Sequence, residues 1–472
     1  MTDAVWLSIV LNRSEPEPLL VQLYASLRDL IVSGAAGRGT ALPPSRTFAA
    51  ELGVARSTIT AAYEQLAAEG YIGGRRGSGV FVADLPDAAL TVSPLAPSGA
   101  NRPAADRAKT SILPFRPGAP DLRLFPHAKW ARMAALALRN GAAVLADDDP
   151  MGSLRLRRAI SRHLAEWRGL QADPEHIAIT AGASGALELA LDAFTRTGDL
   201  VAVENPGYPV MPHLVLGRGR RLELTAVDEE GISLEGLKAA PDVRMAIATP
   251  SHQFPLGGAL SIGRRRELLQ WSAETGVVLV EDDYDSEFRY TGRPLPALAA
   301  AGAPVAYIGT FSKVFWTGLR LGFLVAPEAL AETLRAAAAR FGQRASVMPQ
   351  APLAAFIESG EFARHLRRMR RTYRERLRLL RRLIVERLGP DLLIPEERAA
   401  GLHLLARLGP VLAARMDDAE AASRAQAAGV TVAPLSRYYH APPAGQGLVF
   451  GFAAFEEAEM VRAMAGLRQA LC

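Results

Sequence analysis

Lysine is almost missing from this chain: four occur in 472 residues, against fifty arginines. Arginine can carry nearly all the positive charge, but it is a poor amine nucleophile at neutral pH, whereas a desolvated lysine exposes a free amine. One of the four, Lys313, ends the segment Gly309-Thr310-Phe311-Ser312-Lys313 and is a candidate for binding an aldehyde; genomic composition alone would also leave a lysine there. Cysteine is scarcer still. Cys472 is the sole thiol, which excludes an internal disulfide and suits a cytoplasmic protein. No run of about twenty apolar residues suggests a membrane span, and the N-terminus lacks a basic segment followed by an apolar export stretch. His403 and His440 show no metal-ligand spacing, so no metal is expected.

Present instead are 49% hydrophobic and 22% charged residues, a balance suited to a soluble globular protein, with length enough for two or more domains. The formal charge of +5 is compatible with nucleic-acid binding without establishing it.

Near the N-terminus, Leu20, Leu23, Tyr24, Leu27, Leu30 and Ile31 form one apolar helix face. Pro43-Pro44-Ser45 opens a short second helix containing Phe48, Ala49 and Leu52, with Ser45 as a candidate cap. Gly53 permits a tight turn. A third helix is expected over about 56–69, with Ile59, Tyr63 and Leu66 inward and Arg56, Ser57, Thr58 and Thr60 outward. Gly70 ends it, and Arg75-Arg76-Gly77-Ser78-Gly79 reads as the tip of a basic hairpin. Three helices and a hairpin make a winged helix-turn-helix. Its third helix can enter a major groove, while Arg75 and Arg76 reach phosphates or the minor groove and Arg46 meets phosphate. Residues 1–82 hold seven arginines and seven acids, so the positive face must be local, and a protein-binding winged helix stays open on this reading.

From Asp84 to about Ser111 prolines interrupt an Ala-, Asp- and Ser-rich stretch, which reads as an exposed connector. Beyond it, helical runs alternate with apolar strands at Leu200–Val203, Val243–Ala248, Val277–Val280 and Val305–Ile308. That order predicts a three-layer α/β sheet whose ligand groups emerge at strand C-termini. Thr180-Ala181-Gly182-Ala183-Ser184-Gly185 can bring backbone amides to a phosphate, or be a structural turn. Tyr208, in Asn205-Pro206-Gly207-Tyr208-Pro209, can stack on a planar ring. In Glu281-Asp282-Asp283-Tyr284, a carboxylate at a strand end can accept from a protonated pyridine nitrogen and a phenol can meet the ring oxygen. Asp282 and Tyr284 take those roles; alternation turns Asp283 elsewhere. Alone, the acidic cluster would equally bind Mg²⁺. Thr310 and Ser312 can donate to phosphate, and Arg320 can pair with it bidentately. Together with Lys313, these segments fit pyridoxal phosphate.

Residues from about Pro18 to Val82 resemble the GntR family of bacterial regulators. Leu42-Pro43-Pro44-Ser45-Arg46, Leu52-Gly53-Val54-Ala55-Arg56-Ser57-Thr58, Tyr63, and Leu66-Ala67-Ala68-Glu69-Gly70-Tyr71-Ile72 carry the match. The resemblance implies a dimer on double-stranded operator DNA, with Arg46, Arg56, Ser57, Thr58 and the wing from Gly77 to Gly79 near it. From about Pro114 onward, Thr249-Pro250-Ser251-His252-Gln253-Phe254-Pro255-Leu256-Gly257, Glu281–Tyr290 and Gly309–Gly322 resemble fold-type I pyridoxal-phosphate aminotransferases. The whole is similar to the MocR subfamily of GntR regulators. The expected architecture is multidomain: a winged helix-turn-helix over 1–83, a linker over 84–113, and an aminotransferase-like domain over 114–472 with a smaller C-terminal α+β lobe from about 328.

This resemblance assigns Lys313 to the internal aldimine, Asp282 to the pyridine nitrogen, Tyr284 to the ring oxygen and Tyr208 to stacking. It puts Thr310, Ser312 and Arg320 near phosphate, with Ala183 and Ser184 in the phosphate-side turn. Two departures stand out. Phe254-Pro255-Leu256-Gly257 lacks the asparagine that aminotransferases place near the ring oxygen, and Leu448–Phe452 lacks the arginine that grips an α-carboxylate. Arg437 is a candidate substitute, equally readable as a surface arginine, and His252 a candidate for approaching the pocket. The expected function is a homodimeric regulator that senses pyridoxal phosphate, a small amine or an amino acid through Lys313, more a sensor than an enzyme. The alternative is an active aminotransferase with an accessory DNA-binding domain.

Overall fold

The computed structural model describes residues 5–14, 17–75, 79–85, 113–139, 141, 148–292, 295–302, 304–341, 345–395 and 400–471. The chain divides into two compact units, Met1–Thr110 and Ser111–Cys472.

In the first unit, α1 (Leu19–Val32), α2 (Ser45–Leu52) and α3 (Arg56–Ala68) precede an antiparallel hairpin of β1 (Ile72–Arg75) and β2 (Gly79–Val82). Leu23, Leu27 and Ile31, one helical turn apart, meet Phe48 and Ala49 from α2 and Ile59, Ala62 and Leu66 from α3 in one core. Gly53, at φ 63°, ends α2 in the left-handed conformation and returns its N–H to the last turn. Ser45, expected to cap α2, is instead its first residue. Pro44, extended at ψ 134°, takes the cap position, and the Ser45 hydroxyl lies 3.3 Å from Arg56 Nε, whose N–H it accepts. Tyr63, expected to face inward, is only half-buried; its hydroxyl reaches the Pro43 carbonyl at 2.9 Å and ties α3 to the start of α2. Ahead of α1, buried Trp6 donates its indole N–H to the Ala41 carbonyl at 2.9 Å.

The second unit is built on an eight-stranded sheet in the order β3-β10-β9-β8-β7-β4-β5-β6. The strands are β3 (Ile177–Thr180), β4 (Leu200–Asn205), β5 (Arg221–Asp228), β6 (Gly231–Ile232), β7 (Val243–Ala248), β8 (Val278–Asp283), β9 (Val305–Thr310) and β10 (Gly322–Val325). The run β9-β8-β7-β4-β5 is parallel, whereas β10 is antiparallel to both β9 and β3. Of these, β4, β7, β8 and β9 are buried along most of their length and largely apolar, because both sheet faces are covered there. Met245, Ile247 and Val280 pack with Leu187 and Leu191 of helix Gly182–Phe194; Ala246 and Leu279 pack on the other face with Leu268 and Trp271 of helix Ile262–Thr275. Three layers result.

A four-stranded antiparallel sheet, β11-β12-β14-β13, forms near the C-terminus from β11 (Leu392–Leu393), β12 (His403–Leu408), β13 (Ala433–Pro434) and β14 (Gly447–Gly451). Helices Glu361–Leu388, Asp418–Ala427 and Glu457–Leu471 contribute to its core, which also takes in Phe115 and Phe125 from the beginning of the unit. Helix Ala331–Phe341 lies beyond the expected lobe boundary near residue 328, yet Leu334, Ala337 and Ala338 join the core of the large sheet. Its apolar face, not its place in the chain, decides where it packs. No helix among the described residues is long and apolar enough to cross a membrane.

Candidate functional site

The acids of β8 are sorted by strand alternation. Glu281 and Asp283 meet buried Arg168 at 3.1 and 2.9 Å, and Asp283 also accepts from the hydroxyls of Tyr307 at 2.5 Å and Ser286 at 2.6 Å. Those two carboxylates are structural. Asp282 is buried away from that cluster's arginine, and its Oδ1 has no hydrogen-bond partner among the described residues. Burial raises Asp282 to about 7, helped by nearby Asp283 and Glu204 and opposed by Lys313. Burial likewise lowers the Lys313 amine below the usual lysine range, although Asp285 and Asp282 pull it back. The Lys313 Nζ donates to the Gly118 carbonyl at 3.2 Å.

Glu204, at the end of β4, adds a third buried carboxylate to this side. It accepts from the Thr249 amide at 2.9 Å, the Thr249 hydroxyl at 2.6 Å and Gln253 at 3.1 Å, yet burial still raises it to about 6. Tyr284 follows β8; burial, then Asp285, Asp282 and Glu204, push its phenol well above the ordinary range, so it stays a neutral donor. Its hydroxyl lies 3.0 Å from His252 Nδ1. Tyr208 is 38% exposed. Burial and Asp282 raise its phenol, against a hydrogen bond with Ser184 and the charge of Arg320, which ties Tyr208 to both the acidic and the phosphate-side candidates.

Ala183 and Ser184 stand in the first turn of helix Gly182–Phe194, whose N-cap, Ala181, makes no side-chain cap bond. A Cβ on Gly322 would fall 2.7 Å from the Gly182 carbonyl carbon, so only glycine lets β10 approach this helix start so closely. Arg320 lies two residues before Gly322, and its charge acts on the same Tyr208 that bonds Ser184 of this helix start. Arg320 sits at φ 51°, a left-handed conformation uncommon for a residue with a side chain and typical of functional turns. Thr310 Oγ1 accepts from the Ser312 amide at 3.2 Å, shaping the turn into Lys313.

One candidate stands apart. Arg437 is exposed; burial raises the phenol of its neighbour Tyr438, and the charge of Arg437 opposes that shift. No described contact brings it to Lys313. At Gly451 of β14, a Cβ would fall 2.1 Å from the Arg116 carbonyl, so the crossing chain at residues 115–117 excludes a side chain at that position. His252 and His403, separated in sequence, are brought together with Asp285, their ligand-type atoms within 4.8 Å. Spacing in the sequence did not foretell this. Three further participants were missed: Gly118 and Asp285, whose roles depend on contacts with distant segments, and Glu204, for which adjacency to Asn205–Tyr208 was the available signal.

On the first unit, Arg46, Arg56, Ser57 and Thr60 are exposed and Thr58 is half-buried. Neither α2 nor α3 has a side-chain N-cap bond, and both begin near the Arg56–Ser45 contact. Arg76, Gly77, Ser78 and the Arg75 side chain lie outside the described residues, as does most of the expected linker.

Two family models match, one for bacterial regulatory proteins of the gntR family over residues 19–82, the other for aminotransferase class I and II over residues 149–464. The chain is 37% identical to the Rhizobium meliloti protein named "Probable rhizopine catabolism regulatory protein MocR", across 98% of this chain and 95% of that one. The chain belongs to the MocR-type GntR regulators. Within this family it is also 36% identical to the pyridoxine biosynthesis transcriptional regulator PdxR of Corynebacterium glutamicum, covering 96% and 95% of the two chains. Among solved structures, the α-aminoadipate aminotransferase LysN of Thermus thermophilus, complexed with N-(5'-phosphopyridoxyl)-L-leucine, superposes with a TM-score of 0.67 at 29% identity. That match covers 76% of this chain and 92% of LysN. Membership in the MocR type therefore rests on both units, and the aminotransferase fold on the second.

Proposed function

We propose that this chain is a DNA-binding transcriptional regulator whose second unit holds pyridoxal phosphate and responds to the cofactor, or to a small amine or amino acid meeting it there. The observation that carries the reading is the pair formed by Asp282 and Lys313. Asp282 offers a buried oxygen with no hydrogen-bond partner among the described residues, and Lys313 a half-buried amine with lowered basicity, in a chain with a GntR-type head. Three features fit the cofactor. Asp282 Oδ1 suits a protonated ring nitrogen; Gly118, where a Cβ would fall 2.8 Å from Lys313 Nζ, leaves that amine room; the uncapped helix start and Arg320 suit a phosphate.

When bound, pyridoxal phosphate supplies an aldehyde carbon open to primary amines and an electron-withdrawing ring. Lys313 would hold that carbon and Asp282 the ring nitrogen. Tyr284 would donate to the ring oxygen, Tyr208 would cover the ring, and Ser184, Thr310, Ser312, Arg320 and the amide of Ala183 would hold the phosphate. Arg46, Arg56, Ser57, Thr58 and Thr60, with Arg75, Arg76, Gly77 and Ser78 of the wing, read or grip operator DNA. The working form is a homodimer in the cytoplasm, since paired heads match paired half-sites. For signalling, ligand at Lys313 must favour one arrangement of the heads over another.

The test is operator binding by the full chain with and without pyridoxal phosphate and candidate amines, beside the absorbance of the lysine-bound cofactor. A cofactor-dependent change in affinity that Lys313→Ala abolishes supports the sensor. Unchanged affinity in all arms overturns it. The likeness to LysN favours a second reading, an aminotransferase that also binds DNA; steady turnover of amino donor and keto acceptor, lost in Lys313→Ala, would establish it.

A further inference from the structure

His252 is a candidate effector ligand by sequence, but its surroundings give it other work. Its Nδ1 lies 3.1 Å from both carboxylate oxygens of Asp285 and 3.0 Å from the Tyr284 hydroxyl. A carboxylate only accepts, so an imidazole facing both its oxygens presents N–H at Nδ1. With Nδ1 protonated, the Tyr284 oxygen beside it can only accept there, so the Tyr284 hydrogen turns away from His252.

The pair is tightly built. Asp285 Oδ2 also accepts the Leu402 amide at 3.2 Å, which joins it to the segment entering β12. Gly401, at φ 75°, packs where a Cβ would fall 1.9 Å from His252 Cε1 and 2.7 Å from Asp285 Oδ2, so no larger residue fits without displacing both. A metal centre of His252, Asp285 and His403 is the competing use. Against it, His403 Nε2 is bonded to the Pro255 carbonyl at 3.1 Å, and His252 and Asp285 already hold each other.

We propose that His252, oriented by Asp285, is a positioning residue that turns the Tyr284 hydroxyl proton toward the cofactor's ring oxygen, in a chain where Phe254-Pro255 replaces the asparagine that would share this task. The inference rests on the cofactor reading given above. His252 acts through Tyr284 and need not touch the ring.

The experiment uses the full chain titrated with pyridoxal phosphate, reading its dissociation constant and the absorbance of the bound cofactor. His252→Ala is expected to shift the absorbance and weaken binding about tenfold, the worth of one hydrogen bond of about 1.4 kcal/mol. His252→Asn, which keeps an N–H near the Nδ1 position, restores most of both. Tyr284→Phe with His252→Ala is no worse than Tyr284→Phe alone, because the histidine works only through the phenol. Gly401→Ala keeps His252 but displaces it, and reproduces the spectral shift. Unchanged absorbance and affinity in His252→Ala, or full additivity in the double variant, overturns the inference and leaves the cofactor reading standing. Absence of any Lys313-dependent absorbance in the unaltered chain overturns both. If Zn²⁺ binds the unaltered chain stoichiometrically and His403→Ala abolishes that binding, the metal centre replaces the positioning role.

Discussion

The two units solve the task of presenting chemistry in opposite ways. In the first, the candidate reading residues Arg46 to Thr60 span fifteen positions, are mostly exposed, and stand on two helices whose cores face inward. In the second, Gly118, Glu204, Asp282 and Lys313 come from four distant segments into a largely buried place where Asp282 and Lys313 shift each other and Glu204 raises Asp282. A surface reader tolerates solvent and needs only the right face. A buried site depends on compensation among its members, so its residues fail together. Substitution should separate the two.

The largest expected effect is at Lys313. Lys313→Ala removes the amine, and the lysine-dependent absorbance of bound cofactor is expected to vanish completely, while operator binding without cofactor is retained; spectroscopy beside gel-shift titration reads both.

Asp282→Asn comes next and acts in two directions. Asp282 rises from 3.8 to about 7 on folding. Below about pH 4 both folded and unfolded chains keep the proton. Between about 4 and 7 the folded chain holds a proton that the unfolded chain gives up, so stability falls as pH rises, and above about 7 the whole cost is present. The asparagine variant is therefore expected to be more stable than the cofactor-free parent at pH 8, by roughly 1–4 kcal/mol. The two should converge near pH 4, with denaturant melts as the readout. The same variant should bind pyridoxal phosphate markedly more weakly by absorbance titration. A parent whose stability is flat from pH 4 to 8 would break this account of the buried site.

Effects on the head should be smaller and confined to DNA. Arg56→Ala is expected to weaken operator binding by about 1–3 kcal/mol with an unchanged cofactor spectrum, and Arg46→Ala to reduce the slope of log affinity against log salt by about 1. Smallest is Tyr63→Phe, which removes the bond to the Pro43 carbonyl and should cost about 1 kcal/mol in the unfolding of the head. A head substitution that altered the cofactor spectrum would instead reveal coupling between the units, and would sharpen the sensor reading.

Much of the head was legible in order along the chain, because helix faces, Gly53 and Gly70 act over a few residues. The error at Ser45 was one position: a proline holding the cap place leaves the hydroxyl for Arg56. The large sheet was legible in its four central parallel strands, whose buried runs stand out. Its antiparallel β10, and β3, β5 and β6, were not, since pairing across the sheet leaves little trace in a strand's own composition.

Within the site, local sequence was enough to nominate Lys313, Asp282, Tyr284, Tyr208 and Arg320, because scarce or chemically distinctive residues followed strands at which ligands gather. Only the tertiary structure decided that Asp282 Oδ1 has no hydrogen-bond partner among the described residues while Asp283 has three, that Gly118 receives the lysine amine, and that His252 belongs with Asp285 and Tyr284. The physical reason is range. Backbone preference and periodicity are settled by near neighbours, whereas desolvation, pairing and the room left by a missing side chain depend on segments that meet only when the chain has folded.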